Sequence, residues 1–269
     1  MKGIIGAIAG DVIGSAYEFN PTRDYNFELF TPESTFTDDT VLTIANARWL
    51  LEDGQHTPEN LVEIMLDLCR RYVDRGYGGR FAGWILSNNP QPYNSFGNGS
   101  AMRVSPVGYY AKTLDEAMEL AKISAEVTHN HPEGIKGAQA TAGAIFLARQ
   151  GKDKQEIRDY VSQTFGYDLS RTLDEIRPTF TFDETCQRTV PEAITCFLEG
   201  KDYEDVVRLA VSLAGDADTL AAIAGPIASA TMDVSTEVSQ QVISLLSQEF
   251  CTTLLQFNEL VAKRESKAL

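Results

Sequence analysis

Two short segments concentrate carboxylates and hydroxyls in this chain. One is Phe36-Thr37-Asp38-Asp39-Thr40; the other is Gly215-Asp216-Ala217-Asp218-Thr219. Each stands directly before a stretch with helical patterning. Asp and Thr are favoured helix caps, and acids in a first turn gain from the helix dipole. Capping alone therefore accounts for either segment taken singly. Two acids flanked by hydroxyls are nevertheless more oxygen than a cap needs. Oxygen-only donor sets suit hard divalent cations such as magnesium or manganese. No His or Cys lies close to either segment, which argues against zinc.

Asp11 and Glu18 form a third acidic element. Seven residues apart in a helix, they share one face, with Ser15 between them. An acid on the Gly- and Ala-rich face of a central helix is buried and needs a partner; alternatively, Glu18 marks an exposed helix end. If all these acids converge, four or five carboxylates share a small volume and raise one another's pKa. Two divalent cations would neutralise them. At about 3.5–4 Å apart, two such ions also position a water and substrate oxygens.

Two further motifs suit an anionic ligand. In Phe96-Gly97-Asn98-Gly99-Ser100-Ala101-Met102-Arg103, glycines and a serine ahead of a helix offer a nest of backbone N–H groups for phosphate oxygens. No Gly-Lys-Ser/Thr follows, so this is not a Walker loop, and Asn98 is equally compatible with an ordinary turn. In Thr128-His129-Asn130-His131-Pro132, a histidine at a helix start can donate to an anion or serve as a hydrogen-bonded turn residue.

The elements that must position these groups are helical. Residues 58–75 carry Leu61, Ile64, Met65, Leu68, Cys69 and Tyr72 on one stripe, with Thr57 as cap and Pro58 at the first position. Thr113 with Glu116, and Thr189 with Glu192, have capping-box spacing; Pro191 falls inside the second start and Gly200 just past its end. Further helices are expected at 40–52, 133–149, 153–164, 203–213, 219–231, 236–248 and 251–262, and no convincing alternating strand pattern is present. Gly3, Gly6, Gly10 and Gly14, and later Gly134, Gly137, Ala138, Thr141 and Ala144, recur at helical spacing. Glycine costs a helix about 1 kcal/mol relative to alanine, so these repeats point to close helix packing. Long loops are expected at 19–36, 76–100 and 165–188, and the middle one reads as a pocket wall.

Composition bounds the rest. The 269 residues, 43% of them hydrophobic, form one domain over 1–269 by expectation, since no Pro-, Gly- and Ser-rich linker divides them. The formal net charge of −15 repels nucleic-acid backbones and anionic membranes. Any anionic substrate then needs a local positive centre. Cys69, Cys186, Cys196 and Cys251 lack zinc or redox spacing, and three of them sit in apolar helical patterns, consistent with reduced thiols. Met1 and Lys2 precede an apolar stretch, but Asp11 interrupts it. The expected location is the cytoplasm, with no membrane partner.

Taken in order, these motifs resemble the ADP-ribosylglycohydrolase family. The matching pieces are Gly-Ala-Ile-Ala-Gly-Asp-Val-Ile-Gly with Glu18 after it, Phe-Thr-Asp-Asp-Thr, Gly-Asn-Gly-Ser-Ala-Met-Arg, Thr-His-Asn-His-Pro and Gly-Asp-Ala-Asp-Thr-Leu-Ala-Ala-Ile-Ala-Gly, spanning residues 3 to about 230. Each is modest; the ordered set is specific. The resemblance implies an all-α, orthogonally packed multi-helix bundle holding two Mg2+ or Mn2+ ions. It implies metal ligation by Thr37, Asp38, Asp39, Asp216, Asp218 and Thr219. It implies ligand contacts by Gly97, Asn98, Gly99, Ser100, Met102 and His129, and catalytic roles for Glu18, Asp38 and Asp39. Ala214 departs from the pattern, since relatives usually carry glycine there. The implied activity is hydrolysis at the anomeric carbon of ADP-ribose attached to a protein, nucleobase or small molecule. One alternative is a non-catalytic ADP-ribose-binding or structural protein on the same fold. Another is a phosphohydrolase of the haloacid dehalogenase type, because Asp216-Ala217-Asp218-Thr219 fits Asp-x-Asp-x-Thr. That chemistry needs the first Asp at the end of a strand, whereas residues 206–213 read as a helix.

Overall fold

A computed structural model describes residues 2–266. The chain forms α1 (Ile5–Gly14), α2 (Asp38–Glu52), α3 (Pro58–Arg71), α4 (Gly79–Ile85), α5 (Gly99–Met102), α6 (Ser105–Tyr110), α7 (Leu114–Glu126) and α8 (Pro132–Arg149). It continues through α9 (Lys154–Phe165), α10 (Leu173–Ile176), α11 (Cys186–Glu199), α12 (Tyr203–Val211), α13 (Ala217–Ala228), α14 (Thr236–Leu245) and α15 (Gln248–Ser266). A 3-10 turn at Ser15–Tyr17 extends α1. Among the described residues there is no strand, only an isolated bridge between Gly97 and Thr185. The architecture is an all-α bundle.

Its axis is the pair α1 and α13. Every residue of both helices is buried, as expected for helices that are apolar or small all round. Glycine makes their approach possible. A β-carbon on Gly10 would lie 2.2 Å from the Ala221 carbonyl oxygen, and one on Gly14 would lie 2.4 Å from the Asp218 Cα. Gly6 meets the Ser229 hydroxyl and the Gly225 carbonyl in the same way. Gly3 is different: it precedes α1, with φ +103°, and so is a turn glycine rather than part of the stripe. In α8, Gly134 and Gly137 play the packing role, against Ser95 with His129 and against Cys186 respectively.

Capping signals place most starts well. Thr57 accepts the Asn60 amide ahead of Pro58, although α3 ends at Arg71, short of residue 75. Thr113 accepts the Glu116 amide, but the Glu116 carboxylate turns to the Lys112 amide, so the box is incomplete. The expected start at Thr189 is overturned. Helix α11 begins one turn earlier, after Thr185, and Pro191 lies inside it. The start is fixed from outside: Cys186 N–H donates to the Phe96 carbonyl, and Asn98 N–H to the Glu184 carbonyl. Glu192, buried within the helix, pairs with Arg171 at 2.8 Å instead of capping. The expected loops at 76–100 and 165–188 contain α4 and α10, whose few residues carry too little periodicity to stand out.

Candidate functional site

The two carboxylate segments begin neighbouring helices. Thr37 caps α2, its hydroxyl accepting the Asp39 amide at 3.3 Å. Asp216 precedes α13, and Asp218 accepts the Thr219 amide at 2.8 Å. Although 180 residues apart in sequence, the segments meet: the Thr219 hydroxyl stands 3.5 Å from Asp39 Oδ2. Glu18, Asp216 and Asp218 bring carboxylate oxygens within 4.8 Å of one another. Asp38 and Asp39 face the same cleft, which Glu18, Asp216, Asp218 and Thr219 also line. Asp216 follows helix α12 and not a strand, so the strand-end geometry of the phosphohydrolase pattern is absent.

Asp11 stands behind this group rather than in it. Fully buried, its carboxylate accepts the Thr37 hydroxyl at 2.7 Å, the Thr37 amide at 3.0 Å, the Thr40 amide at 3.1 Å and the Thr40 hydroxyl. Burial still pushes its pKa up to about 6 against those bonds. Asp11 therefore holds the turn that presents Asp38 and Asp39. A second strut is Arg75, which lies over the Phe36 ring at 3.8 Å and whose carbonyl accepts the Asp38 amide at 2.7 Å.

The electrostatics of the cluster are unfavourable as it stands. Burial raises Asp38, Asp39 and Asp218 well above the usual carboxylate range, and the charges of neighbouring carboxylates raise them further. Burial and the Asp216 charge push Glu18 up to about 7. Asp39 Oδ1 is buried without a hydrogen-bond partner. Such an oxygen costs about 1–3 kcal/mol when left unsatisfied. An orphaned carboxylate oxygen among converging acids, with hydroxyls beside them and no imidazole or thiol in the set, fits a hard divalent cation.

The cleft also holds cationic groups. Arg103 is completely buried and lines the cleft, as do Arg80 and His129. The Arg103 guanidinium donates to the Ser124 carbonyl at 2.6 Å and to the Thr128 hydroxyl at 2.9 Å, while its Nε and Nη1 have no partner. Burial lowers its pKa to about 10, so it keeps its charge at neutral pH. Arg80 lies over the Tyr93 ring at 4.9 Å. Burial, with the charges of Arg103 and Arg80, holds His129 well below the usual imidazole range.

The Gly97–Met102 segment is only in part an open cradle. The Gly97 amide is taken by the Ser95 hydroxyl and the Asn98 amide by the Glu184 carbonyl, so two N–H groups of the expected nest are already committed. The Ser100 hydroxyl turns away to the Gly134 carbonyl at 2.7 Å, and Ser100 does not line the cleft. Asn98 Nδ2 donates to Asp216 at 2.7 Å and to Thr189 at 3.1 Å. It thus orients a carboxylate. Gly97, Gly99 and Met102 line the cleft, whereas the Thr37 hydroxyl lies between Asp11 and Asp39. Arg80, Tyr93 and Ser95 of the 76–100 segment, which the sequence marks as a pocket wall, also line it, as do Glu184 and Arg103, to which the sequence assigns no role. Arg103 was visible as the last residue of the Gly-Asn-Gly-Ser-Ala-Met-Arg motif; Glu184, inside a long loop, carried no signal.

Comparison with known proteins identifies the family and the fold. The profile of the ADP-ribosylglycohydrolase family matches residues 1–268. Among curated proteins, the chain is 28% identical to human ADP-ribosylhydrolase ARH3, over 84% of this chain and 83% of that one. It is 27% identical to the ADP-ribosylarginine hydrolase Tri1 of Pseudomonas putida, over 86% and 70% respectively. A solved structure titled ADP-ribosylglycohydrolase-related protein complex shares the fold, with a TM-score of 0.68 at 24% identity, covering 96% of this chain and 93% of that one. The chain belongs to the ADP-ribosylglycohydrolase family.

Proposed function

We propose that this member of the ADP-ribosylglycohydrolase family is a metal-dependent hydrolase that cleaves the bond at the anomeric carbon of an ADP-ribosylated protein, nucleobase or small molecule. The observation that carries the reading is one cleft lined by both carboxylates and guanidinium groups. Carboxylates of Asp38, Asp39, Asp216 and Asp218 line it with Glu18, and Arg80, Arg103 and His129 line it too. A ligand that carries both hydroxyls and a diphosphate suits such a lining. Named activities of the relatives support it: hydrolysis of ADP-ribosyl groups, including ADP-ribosylarginine.

Thr37, Asp38, Asp39, Asp216, Asp218 and Thr219 would hold two Mg2+ or Mn2+ ions. When bound, such ions offset the carboxylate charge, bind hydroxyl oxygens and make a nearby water more acidic. The protein supplies the rest. Glu18 stands half-buried at the cleft, its carboxylate oxygen within 4.8 Å of those of Asp216 and Asp218. It can hold and pass a proton as the bond to the anomeric carbon breaks through an oxocarbenium-like state. Asp38 and Asp39 orient the ribose and the water. Asn98 holds Asp216 in place, and the guanidinium charges of Arg103 and Arg80 favour the diphosphate. We further propose that residues 1–269 act as a single domain in the cytoplasm and bind neither nucleic-acid backbones nor membranes. Among the described residues no helix is long and apolar enough to cross a bilayer.

The test is release of ADP-ribose from arginine-, serine- and base-linked substrates, with and without Mg2+ or Mn2+, by the wild type and Asp218→Asn. Release that requires the cation and is abolished in the variant supports the reading. No release from any substrate, together with no thermal shift by ADP-ribose in Mg2+, overturns it. A thermal shift without release would instead fit a non-catalytic ADP-ribose-binding protein.

A further inference from the structure

Arg103, Thr128 and His129 form a buried chain of hydrogen bonds that ends at the cleft. Thr128 is fully buried. Its hydroxyl oxygen stands 2.9 Å from Arg103 Nη2 and 2.7 Å from His129 Nδ1. A guanidinium can only donate, so the Thr128 oxygen accepts from Arg103. The hydroxyl proton then has one acceptor among the described residues, His129 Nδ1. If Nδ1 carried the ring proton instead, the Thr128 oxygen would face two donors, and its own buried proton would point at nothing. That arrangement leaves a buried donor unsatisfied, which is unfavourable.

We propose that Arg103 acts through Thr128 to fix His129 as the neutral tautomer protonated on Nε2, so that the imidazole presents an N–H donor to the ligand. Nε2 lies at the Gly97–Gly99 segment: a β-carbon on Gly99 would come within 3.2 Å of it and one on Gly97 within 3.7 Å. No protein acceptor takes Nε2 among the described residues. The charged groups facing the ring, Arg103 and Arg80, disfavour a second proton. The ring thus donates one hydrogen bond and cannot accept one from that side. Acceptor oxygens, those of a phosphate above all, are the chemistry it recognises. Thr128 and Arg103 are positioning residues here. The consequence for binding rests on the proposed ADP-ribose reading; the tautomer does not.

Long-range 15N–1H spectra of the imidazoles test this directly. The chain has 3 histidines, and His129→Asn assigns the signals of His129. Nε2 couples to both carbon-bound ring protons and Nδ1 to one, so the protonated nitrogen is identified by its coupling pattern. The expected wild-type result is a neutral ring protonated on Nε2, retained in Thr128→Ser and lost to a tautomer mixture in Thr128→Val. Affinity for ADP-ribose should fall about tenfold in Thr128→Val and be restored in Thr128→Ser. A wild-type ring protonated on Nδ1, or a tautomer unchanged in Thr128→Val, overturns the proposal. The wild-type spectrum decides even if the valine variant fails to fold. Spectra as expected, with ADP-ribose binding to no form, would uphold the chain of bonds and sink the ADP-ribose reading instead.

Discussion

The carboxylate of Asp11 closes a ring with Thr37, taking its hydroxyl on one oxygen at 2.7 Å and its amide on the other at 3.0 Å. Thr40 supplies two more donors to the second oxygen. A group from the central helix thereby fixes where α2 begins, and with it the direction of Asp38 and Asp39.

Asp11→Asn retains size but replaces one acceptor oxygen by a donor that faces the Thr37 or Thr40 donors. Stability should fall by about 1–3 kcal/mol. Mg2+ affinity, measured by calorimetry, should weaken although Asp11 does not line the cleft. Unchanged stability and Mg2+ affinity would show that the α2 start holds itself.

Gly14→Ala drives a β-carbon to 2.4 Å from the Asp218 Cα. Overpacking of this kind costs about 1–3 kcal/mol, and relief requires moving α13 at the point where Asp218 and Thr219 begin it. Turnover should drop at least about tenfold at a temperature where the variant remains folded. Gly54→Ala, with open space around it, is the control and should leave turnover alone.

Ala214 has φ +56°, in the left-handed region that costs a residue with a β-carbon about 1–2 kcal/mol. Its carbonyl-side neighbour Gly215 is itself packed against Phe180, so the turn cannot relax cheaply in that direction. Ala214→Gly should stabilise the protein by about 1 kcal/mol and leave the carboxylates in place. Chemical denaturation measures this; a loss of stability would mean that unfolded-state freedom outweighs the strain relieved.

Metal-free stability should depend on pH with a definite sign. Glu18 moves from 4.5 to about 7, Asp11 from 3.8 to about 6, and Asp38, Asp39 and Asp218 upward in the same sense. Carboxyls raised by folding contribute stability that is present below the unfolded pKa and lost as pH rises through the folded one. The chelated protein should therefore melt at least about 3 °C lower near pH 8 than near pH 5. Saturating Mg2+ should reverse the trend, because cations compete with protons for these oxygens. A chelated protein that gains stability over that interval would exclude the crowded-carboxylate account.

Much of this molecule is written in local pattern. Caps such as Thr57 and the stripe behind it depend on residues within a turn or two, so α3 is legible from its own sequence. The small-residue repeats of α1 and α8 announce close packing, and in α1 a β-carbon at Gly10 or Gly14 has nowhere to go. The acids of both segments are visible as acids. Their partners are not. Whether Asp11 joins the cleft or braces it depends on which way a buried carboxylate turns, and backbone amides at positions 37 and 40 decided that. The start of α11 was set by carbonyl and amide groups of residues 96–98, nearly ninety positions away in the chain. The Ser100 hydroxyl went to the Gly134 carbonyl rather than to the cleft for the same reason: a buried donor takes an acceptor that packing brings within reach. Residue type and spacing thus determined which chemistry was available, while long-range hydrogen bonding in a tightly packed interior determined which of those groups face the cleft.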